Sequence, residues 1–169
     1  MANGLIKDDL KNFLDEKYQE YNNVKFIEDD PIQIPHLFTN HKDIEIAGFL
    51  TSIISWGNRK SIINNAKKMM NLLDNSPYDF IKNCKDSEIK RLEFVHRTFN
   101  SIDFRFFLHS LKYIYTQNDS MEDVFLDNDS NFMFDGIIKF RKIFFSVDHE
   151  KRSHKHISNP QKNSCCKRI

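Results

Sequence analysis

Apolar residues in this chain recur three and four positions apart, and no segment alternates apolar with polar residues over any length. That rhythm constrains the fold most, because a helix face repeats about every 3.6 residues and a strand face every second one. Sixteen phenylalanines carry much of the apolar content, while four glycines and four prolines leave few positions for hairpin turns. With 169 residues, the chain can bury one substantial core, hiding about 68–70% of its unfolded surface. The fold expected is all-α: a single helical domain of six or seven helices, with no internal repeat.

The helices can be placed from their punctuation. Leu10, Phe13, Leu14, Tyr18 and Tyr21 mark one face of a first helix over 8–21. In FIEDDPIQIPHLF, Pro31 and Pro35 forbid helix and push Asp30 and Ile34 towards extended backbone, so this stretch reads as a connector pinned to the core. A central, nearly all-apolar helix follows from Asp43 to about Ser55, with Asp43 placed to neutralise its start. Gly57 breaks it and Asn58 caps a third helix bearing Ile62, Ile63, Ala66, Met69, Met70 and Leu73, so SWGNR forms the bend of an αα-hairpin. Ser76, Pro77 and Asp79 open a short helix, Ile102 to Thr116 forms another, and Ser120 with Asp123 makes a capping-box start. FMFDGIIKFRKIFF is the last amphipathic helix, with Gly136 as a weak point.

The net charge of +1 favours no class of partner by itself. Its distribution does. Residues 149–169 hold six Lys or Arg against Glu150, a local excess of five, so the remainder sums to about −4. This divides the chain into a helical domain over 1–148 and a basic C-terminal segment over 149–169. The N-terminal residues show no apolar core or cleavage site of a secretory signal, which makes a cytoplasmic location the expectation. The longest apolar run, Ile46 to Trp56, is far shorter than the roughly 20 residues of a membrane span. Three cysteines, two of them adjacent, suit reduced thiols rather than a disulfide framework.

Several clusters could carry chemistry. His36, His41, Asp43 and Glu45 lie close in sequence, and His154, His156, Cys165 and Cys166 gather near the end. Neither set has the paired spacing of a zinc site, so capping and surface roles are expected for them, with no metal and no cofactor. Glu28, Asp29 and Asp30 read as a solvated acidic run. The SWGNR bend carries the strongest signal. Arg59 at a helix start can meet phosphate, Trp56 or Asn58 at a hairpin tip can approach a base, and Lys60 follows. The competing reading packs Trp56 into the core and makes Asn58 only a cap.

FIEDDPIQIPHLF, DIEIAGFL, SWGNRKSIIN, DNSPYDFI, HRTFN and HKHISNPQKNS, in this order, resemble the landmarks of a conserved hypothetical bacterial family, a domain of unknown function. The resemblance implies a family without an assigned activity, whose members continue past the segment matching CCKRI; a C-terminally shortened chain is therefore the expectation. EIAGFLTSIISWGNRKSIINNAKKMMNLLDNSPYDFI is also similar in pattern to the early helices of the helix-hairpin-helix DNA glycosylase superfamily. That likeness implies an incomplete glycosylase-like fold with weak, salt-dependent binding to duplex DNA through Trp56, Asn58, Arg59, Lys60, Lys155, Lys162 and Arg168. Lys167 is the position matching the superfamily's nucleophilic lysine. With no Gly-x-Gly hairpin before it and no following aspartate, no catalytic residue is assigned and base excision is not expected. The alternative is a non-enzymatic helical scaffold or protein-interaction module, capable of self-association.

Overall fold

The computed structural model describes residues 2–126 and 132–169. Regular structure among the described residues is helical: nine α-helices and four short 3-10 turns, with one isolated β-bridge between His96 and Phe99. The helices are α1 (Ala2–Tyr21), α2 (Val24–Asp29), α3 (His41–Ile54), α4 (Arg59–Leu72), α5 (Pro77–Asn83), α6 (Asp86–Ile89), α7 (Ser101–Gln117), α8 (Glu122–Phe125) and α9 (Met133–Phe144). Every segment read as helical from its period or caps is helical. The additional α2 and α6 are too short to show a period. Helix α2 takes in the start of the connector, where Asp30 is extended as expected but Ile34 is helical between the 3-10 turns Pro31–Gln33 and Pro35–Leu37, whose first positions suit proline.

Local chemistry explains most starts. Asn40 Oδ1 accepts the Lys42 N–H and Asn58 Oδ1 the Ser61 N–H, which satisfies otherwise orphaned donors at the starts of α3 and α4. Asn100 and Asp103 cap α7 reciprocally, and Ser120 and Asp123 bond each other's backbone before α8. Asp43 does something the sequence did not announce: its carboxylate accepts the Tyr78 N–H at 2.8 Å and ties α5 to α3. Ser76 precedes Pro77 at the start of α5 without a side-chain cap bond. Gly136 is not a weak point. A Cβ there would collide with the Phe125 carbonyl, so its bare backbone lets α8 lie directly against α9.

The core is built around α3 and α7. Phe49 on α3 stacks with Phe107 on α7 at 5.9 Å and meets Phe140 and Phe144 of α9 edge-on. Phe99 and Phe104 extend the ring cluster towards the turn before α7. Each such ring, fully buried, contributes roughly 1.5–3 kcal/mol.

The basic segment packs against this core. Ile157, Ser153 and Cys166 are buried, Arg141 of α9 donates to the Ile157 carbonyl, and the Ser52 hydroxyl lies 2.9 Å from the Arg168 carbonyl. By contrast, α1 leaves Leu10, Phe13, Leu14, Tyr18 and Tyr21 each more than half exposed. Among the described residues, no helix is long and apolar enough to cross a membrane.

Candidate functional site

The bend between α3 and α4 is made by one residue. Gly57 has φ of +107°, a conformation that L side chains rarely adopt, and a Cβ there would sit 2.8 Å from Arg97 Nη1. Gly57→Ala should therefore cost about 1–2 kcal/mol, read as a lowered denaturant midpoint, because Arg97 can swing aside but the backbone strain stays.

Arg97 comes from a tight turn, His96 to Phe99, closed by the His96 and Phe99 backbone bonds at 2.8 and 3.0 Å. Its guanidinium lies over the Trp56 ring at 4.3 Å, and His96 meets the same indole edge-on. Burial pushes the His96 imidazole below its ordinary pKa, opposed in part by a hydrogen bond with the Trp56 backbone, so His96 is held neutral. Trp56 is thereby fixed with one part in contact and the rest on the wall of an open cleft.

The cleft encloses about 1250 Å³. Its floor is the face of α3 carrying Ile44, Glu45, Gly48, Thr51 and Ser52. One wall is the proline-rich connector from Asp30 to Pro35 together with Trp56, Gly57 and Arg59. Thr98, Lys155, His156, Lys167 and Arg168 line the rest of the cleft. The segments DDPIQIP, DIEIAGFL, SWGNR, HRTF and HKHIS thus converge on one space, although they are spread over more than a hundred residues of chain.

Its charge is unbalanced. Arg59, Lys155, Lys167 and Arg168 face two carboxylates. Asp30 is paired with Arg59 at 3.6 Å, and Glu45 accepts the Tyr115 hydroxyl at 2.7 Å and the Met121 N–H at 2.9 Å. Burial, and then the Glu45 carboxylate, drive the Tyr115 hydroxyl far above its ordinary pKa, so it is a fixed donor. On the floor, Thr51 is 3% exposed and its hydroxyl has no hydrogen-bond partner among the described residues. An unpaired polar group in a buried position costs stability, and a bound ligand can satisfy it.

Asp103 holds the Lys155–His156 wall from behind. It is completely buried and accepts from Ser153 Oγ at 2.7 Å and the Asn100 N–H at 3.1 Å. His156 Nε2 lies 3.1 Å away, with its N–H off-line, and Arg152 Nη2 lies at 3.4 Å. Arg152 also donates to the Thr98 carbonyl at 3.2 Å, joining the basic segment to the turn that holds Trp56. Burial alone would push the Asp103 pKa up; the contacts from His156, Ser153 and the Asn100 N–H outweigh it and hold the carboxyl below its ordinary value.

Of the residues singled out in the sequence, Trp56, Arg59, Lys155, Lys167 and Arg168 meet in the cleft. Asn58 is occupied as the cap of α4, while Lys60 and Lys162 are exposed and outside the cleft lining. Lys167 is exposed on the wall. The histidines and cysteines scatter: His41 reaches Glu45 at 3.7 Å, His154 pairs with His149, Cys165 is exposed and Cys166 buried. Glu28 and Asp29 belong to α2, and Asp30 caps the following 3-10 turn through the Ile32 N–H. Sequence reading did not single out Thr51, Arg97, Thr98 or Asp103, although Thr51 lies in EIAGFLTSIISW and Arg97 and Thr98 lie in HRTFN.

Comparison with curated proteins and with solved structures gives no significant match. A family model described as a protein of unknown function (DUF2400) matches residues 30–169, from the aspartate paired with Arg59 to Ile169, and the chain belongs to this family.

Proposed function

We propose that the chain is a DNA-binding helical module that holds a duplex backbone in the cationic cleft between the α3–α4 bend and the basic segment. The observation that carries this reading is the joining of four Lys or Arg side chains and a fixed indole around one cleft. Phosphates recruit such cations whatever the sequence, and an indole face accepts a base of any kind. Arg59, Lys155, Lys167 and Arg168 are the phosphate contacts, and Trp56 is the contact to a base or sugar. The helix–bend–helix with basic residues lining the same cleft also favours a glycosylase-like reading of the module. Lys167 acts as a surface charge in this reading, and no residue is assigned a catalytic role.

Trp56 is the only tryptophan in the chain, so its fluorescence reports on the cleft alone. Titrating a short duplex at low salt should shift or quench that emission, and raising the salt should restore it. An emission unchanged at saturating duplex would remove Trp56 and the cleft from the interface.

A second reading, a protein-interaction module, is favoured by α1, whose apolar stripe lies exposed and outside the matched family region. Concentration-dependent self-association in analytical ultracentrifugation that disappears with Phe13→Glu is its expected sign.

A further inference from the structure

Two imidazoles outside the cleft fasten the basic segment. His149 Nδ1 lies 2.7 Å from the Val147 carbonyl and must donate to it, so His149 Nε2 is a bare acceptor. His154 Nε2 lies 2.7 Å from that atom, so it carries the His154 proton. His154 Nδ1 is then left to accept from Arg141 Nη2 at 3.3 Å. Only a neutral pair in these two tautomers satisfies all three contacts.

The rings are also stacked into place. His154 lies on Phe145 at 4.2 Å and His149 on Phe106 at 4.9 Å. Arg141, which feeds the chain of bonds, also holds the Ile157 carbonyl, so one side chain of α9 contacts the segment at His154, within the Lys151–His156 turn, and at Ile157 just after it.

A proton added to His154 turns its Nδ1 from an acceptor into a donor that faces the Arg141 guanidinium, so that contact is lost. Burial first, and then His149, Arg141, Lys162 and Lys151, lower the pKa of His154. Asp148 and Glu150 flank His149, but among the described residues neither pairs with either ring. His156, in the same segment, faces Asp103 at 3.1 Å and not this pair.

We propose that His149 and His154 form a proton-operated latch: a proton taken up at His154 Nδ1 ends its contact with Arg141 and loosens the segment, and with it the Lys155–His156 wall of the cleft, against α9, while Asp103 keeps its hold on Ser153 and Arg152. Its consequence for nucleic acid rests on the function proposed above, whereas the latch itself belongs to the ligand-free chain. The sign follows from linkage. Because the His154 pKa is lowered in the folded state, its contribution to docking is complete above the ordinary histidine value of about 6.5 and is lost as pH falls below it towards the folded value.

The test is amide hydrogen exchange on the ligand-free chain, comparing protection of residues 151–157 with that of α3 at about pH 7.5 and about pH 5.5. Protection of the segment should fall by about tenfold or more while α3 holds. The double variant His149→Phe, His154→Phe keeps the ring stacks and cannot titrate, so its segment should show the same protection at both pH values. Equal protection of the wild-type segment at both pH values, or an equal fall in the double variant, would overturn the latch. Should the double variant fail to fold, ring-nitrogen NMR of the wild type decides: protons on His149 Nδ1 and His154 Nε2 are expected, and the opposite tautomers refute the arrangement. Failure of the nucleic-acid reading shows separately, as absent duplex binding at pH 7.5 with the exchange result intact.

Discussion

Replacing Asp103 by alanine should destabilise the chain by about 3–5 kcal/mol, the usual consequence of removing one partner from a buried charged network. The carboxylate is completely buried and serves Ser153, His156, Arg152 and the Asn100 N–H together. Without it, α7 loses the acid of its capping box and the basic segment loses its anchor. Asp103→Asn keeps the volume and one acceptor oxygen, so it should cost less. Denaturant unfolding of both variants measures the difference.

The same carboxylate sets a pH dependence. Its folded-state pKa is held below the ordinary carboxyl value, so the unfolded chain takes up the proton first as pH falls. Its contribution is therefore complete above about pH 4 and is lost as pH drops towards the folded value. Asp103→Asn should flatten that acid limb; an equally steep limb in the variant would place the acid sensitivity elsewhere.

The triple variant Lys155→Ala, Lys167→Ala, Arg168→Ala should lose roughly two orders of magnitude in duplex affinity at low salt. Its salt dependence should become shallower by about one power of salt concentration for each cation removed. Lys155 and Lys167 are exposed, and Arg168 meets Ser52 through its backbone carbonyl, which the substitution retains. Stability should therefore change by only about 0.5 kcal/mol per site. That separation of affinity from stability makes the variant informative, since loss of binding cannot be ascribed to unfolding. Undiminished affinity would move the interface away from the basic wall.

Helices with a buried face were legible from the sequence, because burial imposes a period and a period can be counted. Ile46, Leu50, Ile53 and Ile54 of α3 and Phe104, Phe107, Leu108 and Leu111 of α7 show that imprint. Asn58 was legible as a cap for the same local reason. The site was legible only in part. Arg59 and the C-terminal lysines announce their charge wherever they lie, but their meeting depends on a turn at Arg97 and a carboxylate at Asp103 that act across the fold. Asp103 reads in sequence as an acidic residue in the first turn of a helix; its second role comes from Ser153, fifty positions away. The His149–His154 pair was equally hidden. Its tautomers are fixed by the Val147 carbonyl and by Arg141, and a list of histidines shows neither.

The α1 stripe shows the converse. Its period is plain in the sequence, yet the structure leaves the apolar side chains exposed, because amphipathicity dictates that a face be covered without specifying by what.

In the proposed function the cleft binds nucleic-acid backbone through Arg59, Lys155, Lys167 and Arg168. Its most direct test is the dissociation constant for a short duplex measured across a range of salt concentrations. Four phosphate contacts predict a slope of roughly −3 to −4 in log affinity against log salt, with little preference among sequences. An affinity that does not change with salt would contradict the account, as would no binding even at the lowest salt.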